Sequence, residues 1–421
     1  MVGVVGTIII AAVIIAVVVA VTAGMAGGVL AGPDEGSTFK KDLNEESLKI
    51  IYGLKKIPRP QPVFMEVDGS ENKYLHIVYA LSEGEIEAVT QILLRDILVW
   101  EDGAFLSDAE YDGERNPYRN NVEFNIHTGT DGQAADSTLV SRVSSWTAAH
   151  KLSGVAYIYV RLEFDEDVFF SGVPKIDFVI KGKKVYDPRD GTTAWSDNPA
   201  LCIRDFLTNG RYGRDIPVTD IDDTSLIGVA NYCDDEITLN GTTQKRYLCN
   251  GIVDPEDKTI SIIKDLVTSC RGWLIFSAGK YILITDKIEI PTYTFSEDNI
   301  IGKWTISLGN KSNIFNRVKA NFPNKARFWK NDFAVVDSTG LRDDDAGRLL
   351  EKTINLPFTT SLDRATYIAT QYLNQSRQHL AVSFTATIDA LNAVVGDVVY
   401  INHSTPGWDQ LNSGLGKKFR I

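Results

Sequence analysis

The stretch that most constrains the fold runs from Val173 to Gly213. Ile176, Phe178 and Ile180 alternate with Asp177, Val179 and Lys181, the period of a strand with one buried face. Gly182 supplies a turn and Val185-Tyr186 begins a return strand, so the pair reads as a hairpin. Asp187-Pro188 and Asp190-Gly191 then break the chain. Asn198 sits where a helix N-cap belongs, and Pro199 suits the first helical position, where its missing N–H would be unpaired anyway. Cys202, Ile203, Phe206 and Leu207 give that helix an apolar stripe, and Asn209-Gly210 closes it. No catalytic chemistry is visible here. Trp195, Asn198, Pro199, Phe206, Tyr212 and Gly213 read as structural.

The N-terminus makes a different demand. Val2 to Gly32 carries no charge, and Ile8 to Val21 holds only Ile, Val and Ala. That suffices for a helix through a bilayer core, which takes about 20 apolar residues. A signal peptide is the competing reading, with Val29-Leu30-Ala31 as its cleavage site. Against it, no Lys or Arg precedes the apolar run. Ala12, Ala16, Ala20, Gly24 and Gly28 recur every four residues, a small-residue face that lets helices approach closely in lipid.

From Pro33 to Pro62 a connector ends in Ile57-Pro58-Arg59-Pro60-Gln61-Pro62, which favours extended polyproline geometry. Leu75, Ile77 and Tyr79 then alternate as in a strand. His76 among them has no second ligand at metal spacing and reads as a polar contact. Glu83, Glu85 and Glu87 tempt a paired-carboxylate reading, yet glutamates at i, i+2 and i+4 more often line a solvated strand face. Residues 103–151 read as a loop-rich excursion, and Val155 to Phe164 as another strand.

Asp222-Asp223 caps a helix with Leu226, Val229, Ala230 and Cys233 on its apolar face. Asp254 and Pro255 start a second helix, striped by Ile263, Leu266, Val267 and Cys270. A hairpin follows at Trp273–Phe276 and Tyr281–Thr285. The last third is mostly strand, with one helix capped by Ser361. Asp343-Asp344-Asp345 lacks calcium-loop spacing. Gly414-Leu415-Gly416-Lys417-Lys418 fails as a phosphate loop, because Leu411 stands where the first Gly belongs. The four cysteines, Cys202, Cys233, Cys249 and Cys270, form no Cys-x-x-Cys pair, so neither a zinc site nor a redox motif is supported. No cofactor and no metal is expected.

Four strings, in order, carry a family resemblance. They are Ile51-Tyr52-Gly53 with Asn72-Lys73-Tyr74-Leu75-His76 and Ala80 to Ile86; Val185-Tyr186-Asp187-Pro188-Arg189 with Trp195 to Leu201 and Arg211-Tyr212-Gly213; Asn231-Tyr232-Cys233-Asp234; and Gly396-Asp397-Val398-Val399. Together they resemble the central tail hub proteins of long-tailed bacteriophages, the tip attachment protein J family.

The resemblance implies a β-rich α+β chain of several domains, with two barrel-like tail-tube domains flanking a small α/β domain. The divisions are a hydrophobic N-terminal helix over 1–32, a connector over 33–62, a first barrel over 63–215, the α/β domain over 216–290, and a second, incomplete barrel over 291–421. It also implies a homotrimeric hub at the virion tail tip, assembled in the host cytoplasm and taking part in host attachment and DNA ejection. The implied partners are the distal tail protein, the tape-measure protein and other tail-tip proteins, while DNA transits the lumen without specific binding; a host membrane is expected from the apolar run Val2–Gly32 instead. A net charge of −12 argues against a basic nucleic-acid surface and suits a conduit that repels phosphate. Family members continue past the Gly396 strand, so this chain is expected to be either a fragment or a hub whose receptor-binding part lies on another chain. Two alternatives stay open: a membrane-anchored peptidoglycan or glycan hydrolase, and a bacterial inner-membrane protein with a β-rich periplasmic domain.

Overall fold

The computed structural model describes residues 47–58, 60, 62–107, 116–170, 172–308, 314–378 and 380–421. The apolar run Val2–Gly32 lies outside them, and no helix among the described residues is long and apolar enough to cross a membrane. Two compact units emerge. The first comprises the described residues up to 187, with 191–197 and 250–262; the second comprises 188–190, 198–249 and the described residues of 263–421.

The first unit is built from strands β1 Ile50–Tyr52, β2 Leu54–Pro58, β3 Pro62–Asp68, β4 Tyr74–Glu83, β5 Ile86–Leu94, β6 Ile97–Glu101, β7 Ala104–Phe105, β8 Val122–His127, β9 Val155–Glu163, β10 Ile176–Asp187 and β11 Thr192–Trp195. One sheet runs β11-β10-β5-β6-β7, with β2 also on β10; the other runs β3-β4-β9-β8. Alternation decides how they pack. Leu75, Ile77 and Tyr79 of β4 and Ile158 and Val160 of β9 share one core with Ile92 of β5 and Phe178 and Ile180 of β10. Tyr79 meets the Phe178 ring edge-on, 5.8 Å between centroids. Each such fully buried apolar side chain stabilises the fold by about 1.5–3 kcal/mol.

The hairpin is placed differently from the sequence expectation. Gly182 is not a turn: β10 runs unbroken through it, and the turn falls at 188–191, with Asp187 paired to Thr192 and Lys184 to Trp195. A glycine is needed at 182 because the Ile51 carbonyl lies where a side chain would stand.

Residues 116–152 are also more ordered than a loop. They contain β8 and a short helix, α1 Ser137–Arg142, capped by Asp136. This helix and its flanks cover the outer face of β4 and β9. Leu139, Val143 and Trp146 pack there on Val78, Tyr157 and Tyr159. Both faces of β4 are therefore buried.

The second unit opens with α2 Pro199–Thr208 and α3 Asp223–Asp234. Leu226, Val229, Ala230 and Cys233 are buried on the apolar face expected of α3. A further helix, α4 Thr259–Thr268, starts later than Asp254 suggested. The Asp254 carboxylate instead accepts from the Ser47 hydroxyl at 2.9 Å and the Glu256 N–H at 3.1 Å, within the first unit. It holds a turn beside the Gly251–Val253 strand, which pairs with β1. The hairpin β12 Gly272–Ser277 and β13 Lys280–Thr285 packs against α3.

The strands that follow this hairpin are β14 Tyr293–Phe295, β15 Ile300–Leu308, β16 Arg317–Asn324, β17 Lys330–Asp337, β18 Glu351–Asn355, β19 Leu380–Ala386, β20 Val398–Ile401 and β21 Lys417–Arg420. They form the sheets β17-β16-β18 and β14-β20-β21 and the ribbon β15-β19. Helix α5 Leu362–Gln375 covers the first of these. Its Ala365, Ile368 and Ala369 are buried, as are Val318, Ala320 and Phe322 on the β16 face packed against it.

The molecule is β-rich, as expected, but no closed barrel forms among the described residues. In the first unit the chain passes from β2 to β3 through Pro58, Pro60 and Pro62, and proline cannot donate a ladder hydrogen bond. At its far edge β7 is two residues long. Both sheets consequently end in open edges. In the second unit the two- and three-strand sheets are too narrow to curl closed.

Candidate assembly site

The helix after Trp195 is fixed from the residues upward. The Asn198 side chain accepts from the Ala200 N–H at 3.0 Å and donates to the Ala230 carbonyl of α3 at 2.9 Å. One fully buried amide thus caps α2 and ties it to α3. Pro199 occupies the first helical position, and Phe206 is buried in the stripe below it.

At the other end, the Asn209 side chain accepts from the Arg211 N–H at 2.9 Å. The Tyr212 hydroxyl donates to Asp205 at 2.6 Å. A Cβ on Gly213 would stand 2.3 Å from the Phe206 carbonyl oxygen, so only glycine fits the return of the chain. Asn198, Pro199, Phe206, Tyr212 and Gly213 thus gather around α2 in the second unit. Trp195 belongs to the first unit, where its indole N–H donates to the Gly53 carbonyl at 3.4 Å and Lys181 lies over its ring.

Several polar contacts of the module gave no sign in the spacing. Arg204, within the apolar stripe, grips Asp223 with two nitrogens at 2.9 and 3.2 Å. Arg364, almost fully buried on α5, donates to the Gln244 side chain and the Lys245 carbonyl, both at 2.9 Å. Asp234 meets Lys245 at 2.8 Å and Arg189 at 2.9 Å. Burial pushes its carboxyl upward, but those two cations outweigh burial and hold it below the ordinary range. An arginine amid apolar helix positions was the one available signal.

Glu85, Glu87 and Asp345 are taken up by cations. Glu85 and Glu87 share Lys184, at 2.8 and 3.8 Å, and the hydrogen bond it donates to Glu85 raises that amine. Asp345 pairs with Arg377 at 2.7 Å. Among the described residues no group of three or more His, Cys, Asp or Glu could hold a metal ion. His76 is buried, its Nδ1 2.7 Å from the Tyr159 hydroxyl. Cys202, Cys233, Cys249 and Cys270 are thiols buried in the core. Ala12, Ala16, Ala20, Gly24 and Gly28 fall outside the described residues.

The apolar surface is unevenly shared. Among the described residues of the first unit the large exposed apolar side chains are Ile97, Phe164, Phe170, Tyr186 and Ile260. The second unit exposes many more, with Ile288, Ile290, Ile388 and Leu391 each at least 80% exposed.

No protein-family model matches the sequence. Tip attachment protein J of Escherichia phage SECphi27 is 28% identical over 210 residues, covering 45% of this chain and 17% of that protein. Baseplate hub protein pb3 of Escherichia phage T5 is 21% identical over 434 residues, covering 87% of this chain and 45% of the relative. The chain is a homologue of phage tail-tip and baseplate-hub proteins. The tail-hub homologue spans less than half the length of each of these relatives. Its fold is shared with a chain in the virion of a native gene transfer agent particle, with a TM-score of 0.62 at 14% identity over 93% of this chain and 85% of that one.

Proposed function

We propose that this chain is a structural subunit of the central hub at the distal tip of a long phage tail, where three copies close or continue the tail tube. The observation that carries the reading is the match to a baseplate hub protein along 87% of the chain. The match to a tip attachment protein and the fold shared with a virion chain support it independently. Its place is the virion tail tip, among other tail proteins, with the distal tail and tape-measure proteins as neighbours.

The uncovered apolar surface of the second unit suits a subunit that completes its packing on assembly, since lone soluble proteins rarely expose large contiguous patches. Ring closure by neighbouring copies would also shield strand edges that the single chain leaves open. No catalytic residue is assigned, and the hub acts by shape: it passes DNA, takes part in host attachment and opens for ejection. The run Val2–Gly32 is the part proposed to enter the host membrane, associating through Ala12, Ala16, Ala20, Gly24 and Gly28.

Labelling a tagged copy in purified virions tests the reading. The label is expected at the end of the tail, and averaged particle images should show three copies there. Label confined to the head or the tail shaft, or a chain absent from virions, would sink it.

A further inference from the structure

We propose that residues 129–152 form a releasable strap, which in acid lets go of the β3-β4-β9-β8 sheet while the two-sheet core stays folded. The inference stands apart from the tail-hub reading and rests on how the strap is held. It makes no strand ladder with the sheet it covers. Its apolar contact is a small satellite cluster, in which Leu139, Val143 and Trp146 lie on Val78, Tyr157 and Tyr159. The main core lies on the opposite face of the same strands. Release therefore uncovers an apolar face without opening that core.

Apart from the Gln133 amide, which donates to the Val155 carbonyl at 3.0 Å, the side-chain ties involve groups that titrate or pair with groups that titrate. Asp136, which caps α1 through the Leu139 N–H at 2.7 Å, also accepts from Asn125 at 3.0 Å and His127 at 2.8 Å on β8. The His127 ring stacks on Tyr157, 4.2 Å between centroids. Arg142, at the end of α1, donates to Glu123 of β8 at 2.8 Å and to the Tyr159 hydroxyl at 3.4 Å. Ser145 donates to Glu66 of β3. Beneath them His76 of β4 is 1% exposed, its Nδ1 at the Tyr159 hydroxyl and its Nε2 without a partner. Arg161 of β9 pairs in register with His76, and Asp68 of β3 acts on it from a distance. On the strap itself, His150 is taken up locally by Thr147.

Acid works against this arrangement at two points of the same sign. Burial, reinforced by Arg161 and Arg142, holds His76 below its ordinary value of 6.5. The folded strap therefore favours neutral His76, and this contribution fades as pH falls below about 6.5. Burial raises the Asp136 carboxyl, but its bonds from His127, the Leu139 N–H and Asn125 outweigh that and hold it low. That contribution fades only below its ordinary value of 3.8. His76 acts first and Asp136 second.

Hydrogen exchange of the full-length protein, read by mass spectrometry and corrected for intrinsic rates, tests the strap. Between about pH 7.5 and about pH 5, amides of Val140 and Val143 should lose protection by up to about tenfold per pH unit, while those of β9 keep theirs. In His76→Gln that pH dependence should vanish. Independently, Asp136→Asn should lower strap protection already at neutral pH and leave β9 unchanged. Strap and β9 exchanging together, strap protection indifferent to pH, or Asp136→Asn without effect on the strap would each overturn the proposal.

Discussion

Gly182 lies against the main chain of Ile51: a Cβ built on it would stand 2.1 Å from the Ile51 carbonyl oxygen. The Gly182 N–H is meanwhile bonded to the Gly53 carbonyl at 2.7 Å. The contact joins β10 to the β1–β2 segment, so neither backbone can withdraw without breaking pairing. Gly182→Ala is therefore expected to destabilise by about 1–3 kcal/mol through overpacking. Urea denaturation of the purified variant checks it, and an unchanged midpoint would show that the strands can part.

Asn198 and Phe206 separate two contributions to the same helix. Asn198→Ala removes the cap, at about 1 kcal/mol, and also the buried bond to the Ala230 carbonyl, at about 0.5–1.5 kcal/mol more. Asn198→Asp keeps the cap acceptor but loses the donor and buries a carboxylate beside Asp234, so it should cost at least as much as Asn198→Ala. Phe206→Ala, emptying a site 2% exposed, should lose about 3–5 kcal/mol. Denaturation midpoints of the three variants should fall in the corresponding order.

How much of this was legible beforehand follows from the range of each interaction. The alternation at Leu75, Ile77 and Tyr79, the buried stripe of α3 and the cap at Asn198 depend on neighbours a few residues away, and local pattern exposes them. The turn assigned to Gly182 failed because its reason is the Ile51 carbonyl, far upstream. Asp254 looked like a helix cap because Pro255 follows it, yet its partner is Ser47. The strap was hidden for another reason. Leu139, Val143 and Trp146 carry helical spacing over a helix too short to register as a period. The barrels came from family resemblance alone, and the strand edges of a single chain remain open.

Asp177 is the most buried carboxylate among the described residues of the first unit. It is fully buried, with Lys56 at 2.7 Å and Lys175 at 2.8 Å, and Asp96 joins both lysines at 3.1 Å. Asp177→Asn leaves Lys56, itself nearly buried, with the more exposed Asp96 as its remaining carboxylate in this group. A loss of about 3–5 kcal/mol is expected. Pairing it with Lys56→Met should recover part of that loss, because the stranded charge goes too. A double mutant no more stable than Asp177→Asn would contradict the pairing.

For the apolar N-terminal run, Ala16→Leu with Ala20→Leu preserves hydrophobicity while blocking close helix approach. Virions carrying both changes should assemble but deliver DNA poorly, and the protein should release less dye from liposomes. Normal delivery by virions lacking residues 2–32 would remove the membrane role altogether.

Lys55 gives the clearest pH signature at the alkaline end. On β2 it stands opposite Ile180 of β10, sharing a sheet face with Ile57, which packs on the core. Burial alone lowers its amine from 10.5 to about 8. The folded state thus binds this proton less readily than the unfolded chain does. Stability from this group must rise as pH climbs from about 8 to about 10.5, and it is least favourable below about 8. Lys55→Met keeps the apolar stem and drops the charge, so it should stabilise at neutral pH by about 1–2 kcal/mol, allowing for partial hydration of the amine. It should also flatten the alkaline rise. Urea midpoints at about pH 7 and about pH 10 measure both effects. Parallel pH dependence in the variant and the parent would mean that the Lys55 amine reaches water and is not desolvated at all.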